Sequence, residues 1–190
     1  MTSEPYCVGF RQIDAGEAMT QHLLAQGKKR IVFAAAQLDP RVMQRLQGWR
    51  KALKANQKYD PTLEWLNPAP SSLALGGLMF EQIVKQNPAV DAIFFCNDDL
   101  AQGALLAAMR TGVAVPQRVA IAGFNDLTGS DQMVPPLTTV RTPRAEIGHA
   151  AAHPGHLALG VAAGDALVAI TIRPHRFFKR EGDDIRMDLR

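Results

Sequence analysis

The chain has 190 residues, 47% of them hydrophobic, and a formal net charge of +3. That length suits one domain or one and a half, and that apolar share supports a packed core and excludes disorder. The positive charge is spread along the chain apart from a local rise over residues 173–190, so it does not by itself make a nucleic-acid surface. Cys7 and Cys96 lie far apart without metal-ligand spacing, as reduced thiols of a cytosolic protein do. The start "MTSEPYCVGFRQIDAGEAM" has no basic stretch leading into an apolar one, so no secretory signal is read there. No apolar run reaches the roughly 18 to 20 residues of a membrane span. A soluble, cytoplasmic protein with no membrane partner is expected.

In chain order, "YCVGF" is a possible first strand, and "DAGEAMTQHLLAQG" has helical apolar spacing that stops at Gly27. "IVFAAA" is a short continuous apolar run, the pattern of a parallel strand covered on both faces. "DPRVMQRLQGWRKALKAN" is helical, with Asp39 as N-cap and Pro40 at the first helical position. "TLEWLN" reads as a short strand and "SSLALGGLMFEQIVKQNP" as a helix capped by Ser71 or Ser72 and closed before Pro88. The cycle repeats with strand "AIFFCN", helix "DDLAQGALLAAMRTG" ending at Gly112, and strand "VAIAGFN". Such alternation predicts an α/β fold, a doubly wound parallel sheet, up to residue 125. Beyond it, Pro135 and Pro136 argue that "PPLTTV" is not the next regular βα step. A helix is predicted from Thr142 as cap and Pro143 as its first residue, interrupted at Pro154-Gly155. "ALVAITI" reads as a final strand before a basic end.

Ligands of open parallel sheets bind beyond the carboxyl ends of the strands. The residues that follow the apolar runs are Gln37, Asp39, Arg41 and Arg45; Ser71 and Ser72; Asn97, Asp98 and Asp99; and Asn125 and Asp126. Amides serve vicinal hydroxyls, and guanidinium groups grip carboxylate or phosphate, so this rim suits a small polyhydroxy ligand with a negative charge. Taken singly, Asn97, Asp98 and Asn125 read equally well as caps of helices or turns, and Arg45 as the partner of a neighbouring carboxylate. Their convergence favours the ligand. The sequence has no G-x-S-x-G elbow, no P-loop and no G-x-G-x-x-G turn, which argues against an enzyme and against a cofactor; Gly76-Gly77 reads as a close-packing point inside a helix. His149, His153 and His156 have tempting spacing, but Pro154 interrupts their face and no Asp, Glu or Cys lies among them, so no metal is expected.

"AIFFCNDDLAQGALLAAMRTGVAVPQRVAIAGFNDLTGSDQMVPPLTTVRTPRAEIG" resembles the effector-binding core of the LacI/GalR family of bacterial transcriptional repressors. The likeness covers roughly residues 8–150, and "LDPRVMQRLQGWRKAL" is most similar to the gluconate-type members. The resemblance implies two periplasmic-binding-protein-like subdomains joined by three crossover strands, with a sugar or sugar-acid effector such as gluconate in the cleft. Residues 1–125 would then be the C-terminal effector-binding subdomain. Residues 126–190 would supply a hinge crossover, a helix and a terminal strand of the N-terminal one. Helix 98–111 and residues 129–137 resemble the family's subunit contact, which implies a homodimer. Arg45 matches the family's ligand-gripping arginine and Asn97 a sugar-contacting position. Asn125 stands where most members have Asp, which suits an anionic effector, and Asp126 lies beside it. Ser71 falls near a position that often carries an aromatic ring, and Arg41 is added on electrostatic grounds. The family's helix-turn-helix headpiece and first subdomain are not found in the sequence, so a truncated repressor core is expected, with operator DNA reached only through a missing headpiece. A periplasmic-type sugar-binding protein and an α/β enzyme acting on a sugar acid are the other readings.

Overall fold

The computed structural model describes residues 9–152, 170–173 and 185–187. Within them each short apolar run is a strand and each amphipathic stretch a helix. Helix α1 (Gln12–Ala25) leads to strand β1 (Ile31–Ala36), helix α2 (Pro40–Ala55) and strand β2 (Glu64–Asn67), the last entered through a 3-10 turn at Pro61–Leu63. Helix α3 (Leu73–Gln86), strand β3 (Ala92–Phe95), helix α4 (Asp98–Thr111) and strand β4 (Ala120–Asn125) complete the regular alternation. Strand β5 (Thr138–Arg141), helix α5 (Arg144–Ala152), strand β6 (Ile170–Arg173) and strand β7 (Ile185–Met187) follow. The sheet runs β2-β1-β3-β4-β5-β6-β7. Its first five strands are parallel and the last two antiparallel. From β1 the chain steps outward to β2, then returns past β1 to β3. This reversal opens a crevice between the carboxyl ends of β1 and β3.

Local chemistry sets the element boundaries. Asp39 caps α2 by accepting from the backbone N–H of Arg41 and Val42, Ser72 caps α3, and Asn97 caps α4. Gly27 and Gly112 take the left-handed conformation just past the ends of α1 and α4, where a side chain would be strained. Every residue of β1 and β3 is buried, as the continuous apolar runs require. Trp49 and Phe94 each pack against Phe33 in that core. The helices pair through glycine. A Cβ on Gly48 would run into the Ile13 carbonyl of α1, and one on Gly103 into the Leu73 carbonyl of α3. Gly76 lies just as close to the Leu100 carbonyl, so it is a packing point, as its place in a helix suggests.

Three features depart from the sequence pattern. Helix α1 starts at Gln12, before the predicted Asp14, although Arg11 at its N-cap makes no side-chain cap bond. Thr138–Arg141 does form a regular parallel strand beside β4 and is followed by a helix. Pro135 and Pro136 precede that strand rather than interrupt it, so its ladder donors are intact. Helix α5 begins at Arg144, with the Pro143 carbonyl accepting from Ile147 N–H. The Thr142 hydroxyl, predicted to cap it, donates instead to the Asn125 carbonyl. The strand read at "ALVAITI" is described from Ile170 onward and pairs antiparallel with β5. Residues 1–8, which hold most of "YCVGF", and the Pro154-Gly155 interruption lie outside the described residues. Among the described residues no helix is long and apolar enough to cross a membrane.

Candidate functional site

A depression of about 150 Å³ sits at the β1/β3 reversal, lined by Ala36, Gln37, Asp39, Arg41, Val42, Arg45, Asn97 and Asn125. Four of the six candidate ligand residues, Arg41, Arg45, Asn97 and Asn125, are therefore brought together. Ser71 is one bond removed, because its hydroxyl lies 2.8 Å from the Asn97 Nδ2. Asp126 belongs to a neighbouring hollow that it shares with Arg141, Thr142, Arg144, Ala145 and Glu146. The strand ends converge as the apolar runs predict, and the chain turns away after Asn125.

Arg45 dominates the electrostatics. It is 7% exposed. Its Nε donates to Gln12 Oε1 at 2.8 Å and its Nη1 to the Cys96 carbonyl at 2.6 Å. The guanidinium carbon lies 3.7 Å from the centroid of the Phe124 ring, in cation–π contact. Burial pulls its pKa down to about 10, against the fields of nearby groups including Asp39 and Asp98. It therefore stays charged at neutral pH. Arg41, one helical turn earlier, is exposed and 3.8 Å from Asp39, a pairing of little strength in water. Asp39 is already engaged as the cap of α2. With two guanidinium groups and one carboxylate among uncharged amides, the lining carries a net positive charge.

Asn97 is held at both ends of its amide: Oδ1 caps the Leu100 N–H and Nδ2 donates to Ser71. Asn125 has φ 113° and Asp126 φ 53°, unusual for residues with a side chain, and at the end of β4 they re-aim both side chains. The Asn125 carbonyl accepts from the Thr142 hydroxyl and from Arg144 Nη2, each at 3.2 Å. Beneath them Asp98 is fully buried and accepts from Leu127 N–H, the Ser130 hydroxyl and the Thr139 hydroxyl. Burial pushes its carboxyl pKa up, while those three donors pull it back. Gly123 has no room for a side chain because Asp98 Oδ1 occupies the place of its Cβ. The polar stretch after β4 is thus a loop built around one buried carboxylate, and it sets the backbone on which Asn125 faces the depression.

A family of periplasmic binding protein-like domains matches residues 20–161. A LacI family transcriptional regulator from Silicibacter pomeroyi superposes with a TM-score of 0.80 at 30% identity, covering 95% of this chain and 68% of that one. The chain belongs to the LacI family. The HTH-type transcriptional regulator GntR of Pseudomonas aeruginosa is 57% identical over 146 residues, 77% of this chain and 43% of its own length. The transcription regulator GntR of Chromobacterium violaceum superposes with a TM-score of 0.84 at 49% identity, covering 93% of this chain and 66% of that chain. This LacI-family chain therefore spans less than half the length of the curated relative, and it carries the periplasmic-binding-protein-like fold.

Two residues of the site escape a reading of strand ends, whereas Gln37 follows from it. Gln12 and Phe124 support the Arg45 guanidinium but stand at a helix start and inside a strand. Gln37 has positive φ and donates its N–H to the carbonyls of Asn67 and Ala69, which ties the end of β1 to the loop after β2. Among the described residues no cluster of His, Cys, Asp and Glu is placed to hold a metal ion. His149 is exposed on α5, while His153 and His156 lie outside the described residues.

Proposed function

We propose that this LacI-family chain is the effector-sensing part of a transcriptional regulator and that its effector is a sugar acid of the gluconate type. The observation that carries the reading is Arg45, a charged and nearly buried guanidinium in a depression that also presents the amides of Gln37, Asn97 and Asn125. Its charge suits a carboxylate, and Asn97 and Asn125 suit the hydroxyls along a sugar chain. Arg41 adds charge at the mouth. Ser71 acts by holding Asn97, and Asp126 by directing the backbone beside Asn125.

At about 150 Å³ the depression is smaller than the roughly 300 Å³ at the low end for a small-molecule pocket. In this reading residues 1–125 form one wall of a cleft, and residues 126–190 carry the hinge crossover toward a second subdomain that supplies the other. Effector binding closes the two, and closure alters the spacing of DNA-binding headpieces of the HTH type named for the relatives. Operator contact falls to such a headpiece. Leu78 on α3, Leu106 and Met109 on α4, and Val134 in the loop between β4 and β5 are exposed, and they supply apolar surface for a second copy of the chain. The protein works in the cytoplasm as a binder, not an enzyme.

Titration calorimetry with gluconate, gluconate 6-phosphate and a neutral hexose tests the reading, with Arg45→Ala as control. Saturable heat with a sugar acid that disappears in Arg45→Ala is expected. A folded wild-type chain that takes the neutral hexose as well as gluconate, or an Arg45→Ala chain that still binds, refutes it.

A further inference from the structure

Arg45 can present itself to an anion in only one way. Its Nε is bound to Gln12 Oε1 and its Nη1 to the Cys96 carbonyl, and its plane rests on Phe124. Two fixed nitrogens of a planar group determine the third, and Nη2 has no hydrogen-bond partner among the described residues. Of the three supports, the Cys96 carbonyl lies just past the end of β3 and the Phe124 ring is on β4, both at the centre of the sheet. Gln12 is different. It is the first residue of α1, on the segment that leads the chain into the described fold.

Arginine only donates, so the Gln12 amide must turn its oxygen to Nε, and its amide nitrogen forms no hydrogen bond among the described residues. The side chain does not serve the helix start either, where Arg11 makes no cap bond. Two residues earlier, Phe10 stacks on the ring of Phe124 with centroids 6.2 Å apart. One short segment thus touches Arg45 directly and also braces the ring beneath it.

We infer that Gln12 is a positioning residue for Arg45, its carboxamide oxygen locking the guanidinium so that Nη2 is left for an anionic effector. The inference rests on Arg45 being the group that grips the effector. Without Gln12, the guanidinium can rotate about its remaining bond, and ordering it again on binding weakens affinity.

Gln12→Met removes the acceptor at similar volume, and Gln12→Glu keeps an oxygen there. Two quantities are measured on the full chain: gluconate affinity by calorimetry and the Arg45 Nε–H order parameter by NMR relaxation. Gln12→Met is expected to lower the order parameter and to weaken gluconate about tenfold, the scale of one hydrogen bond to a charged group. Gln12→Glu is expected to restore the order parameter. An order parameter unchanged in Gln12→Met overturns the inference, and so does one that falls while gluconate affinity stays the same. If the wild-type chain takes no gluconate, the effector reading fails, and the order parameter alone decides whether Gln12 holds Arg45.

Discussion

Replacing Asp98 by alanine tests whether the loop after β4 is held by one carboxylate. Asp98 is fully buried and accepts from Leu127 N–H at 2.7 Å, from Ser130 Oγ at 3.0 Å and from Thr139 Oγ1 at 2.6 Å. Alanine strands one backbone donor, which cannot turn away, and two hydroxyls, which can. Each stranded buried donor costs about 1–3 kcal/mol, offset in part because a charged group no longer has to leave water. A net loss of about 3 kcal/mol follows. In a chain of this size each kcal/mol lowers the melting midpoint by about 2–4 °C, so calorimetry should show a fall of about 6–12 °C. Asp98→Asn keeps one oxygen for Leu127 N–H and should lose about half as much. In a double-mutant cycle, Thr139→Val and Asp98→Ala should cost less together than the sum of the two, because they remove the same bond. A midpoint for Asp98→Ala within about 2 °C of wild type, or strict additivity with Thr139→Val, refutes the reasoning.

Glu64 is held below its ordinary pKa by the bidentate bond from Arg50 and by the Tyr59 hydroxyl. Its contribution to stability is present above the ordinary carboxylate value and is lost as pH falls through the lowered folded one. Urea midpoints of wild type and Glu64→Gln should therefore differ at pH 7 and converge on acidification; a constant gap contradicts the assignment. Gly103→Ala should destabilise by about 2 kcal/mol in spite of better helix propensity, since its Cβ meets the Leu73 carbonyl. Gly148→Ala, with open space around it, should match or exceed wild type in thermal melts, and equal losses in the two would show that the contact is unimportant. Asn125→Gly should relieve the positive φ, stabilising by up to about 1 kcal/mol in urea, and under the proposed sugar-acid reading it should weaken gluconate binding; tighter binding would remove Asn125 from the proposed site.

The strands and helices up to Asn125 are legible because local chemistry bounds each apolar run, with Asp39, Ser72 and Asn97 as caps and Gly27 and Gly112 as stops. β5 is masked by the two prolines, whose local rule is sound but applies to the loop before the strand. Arg41, Asn97 and Asn125 meet in one depression because strand ends of a parallel sheet converge by topology, and Arg45 joins them from the second turn of α2. Asp126 follows the same rule yet falls into the neighbouring hollow, since the positive φ of Asn125 and its own turn the chain. Gln12 carries no local signal: its partner is 33 positions away, and only the packing of α1 on α2 brings them together. Phe124 has the hydropathy of a core residue, which it also is.

The glycine contacts between paired helices separate two kinds of sequence change. Gly48 and Gly103 fix how closely the helices lie, and any larger residue there disturbs the whole layer. Gln37 and Arg41 lie beyond strand β1, are exposed, and bear none of that packing. Chains of this kind can exchange such mouth residues in single steps without refolding the sheet beneath. Under the proposed effector reading, preference is therefore free to drift among descendants while the scaffold stays nearly constant, and Arg45, tied to both layers, is the last of the lining residues expected to change.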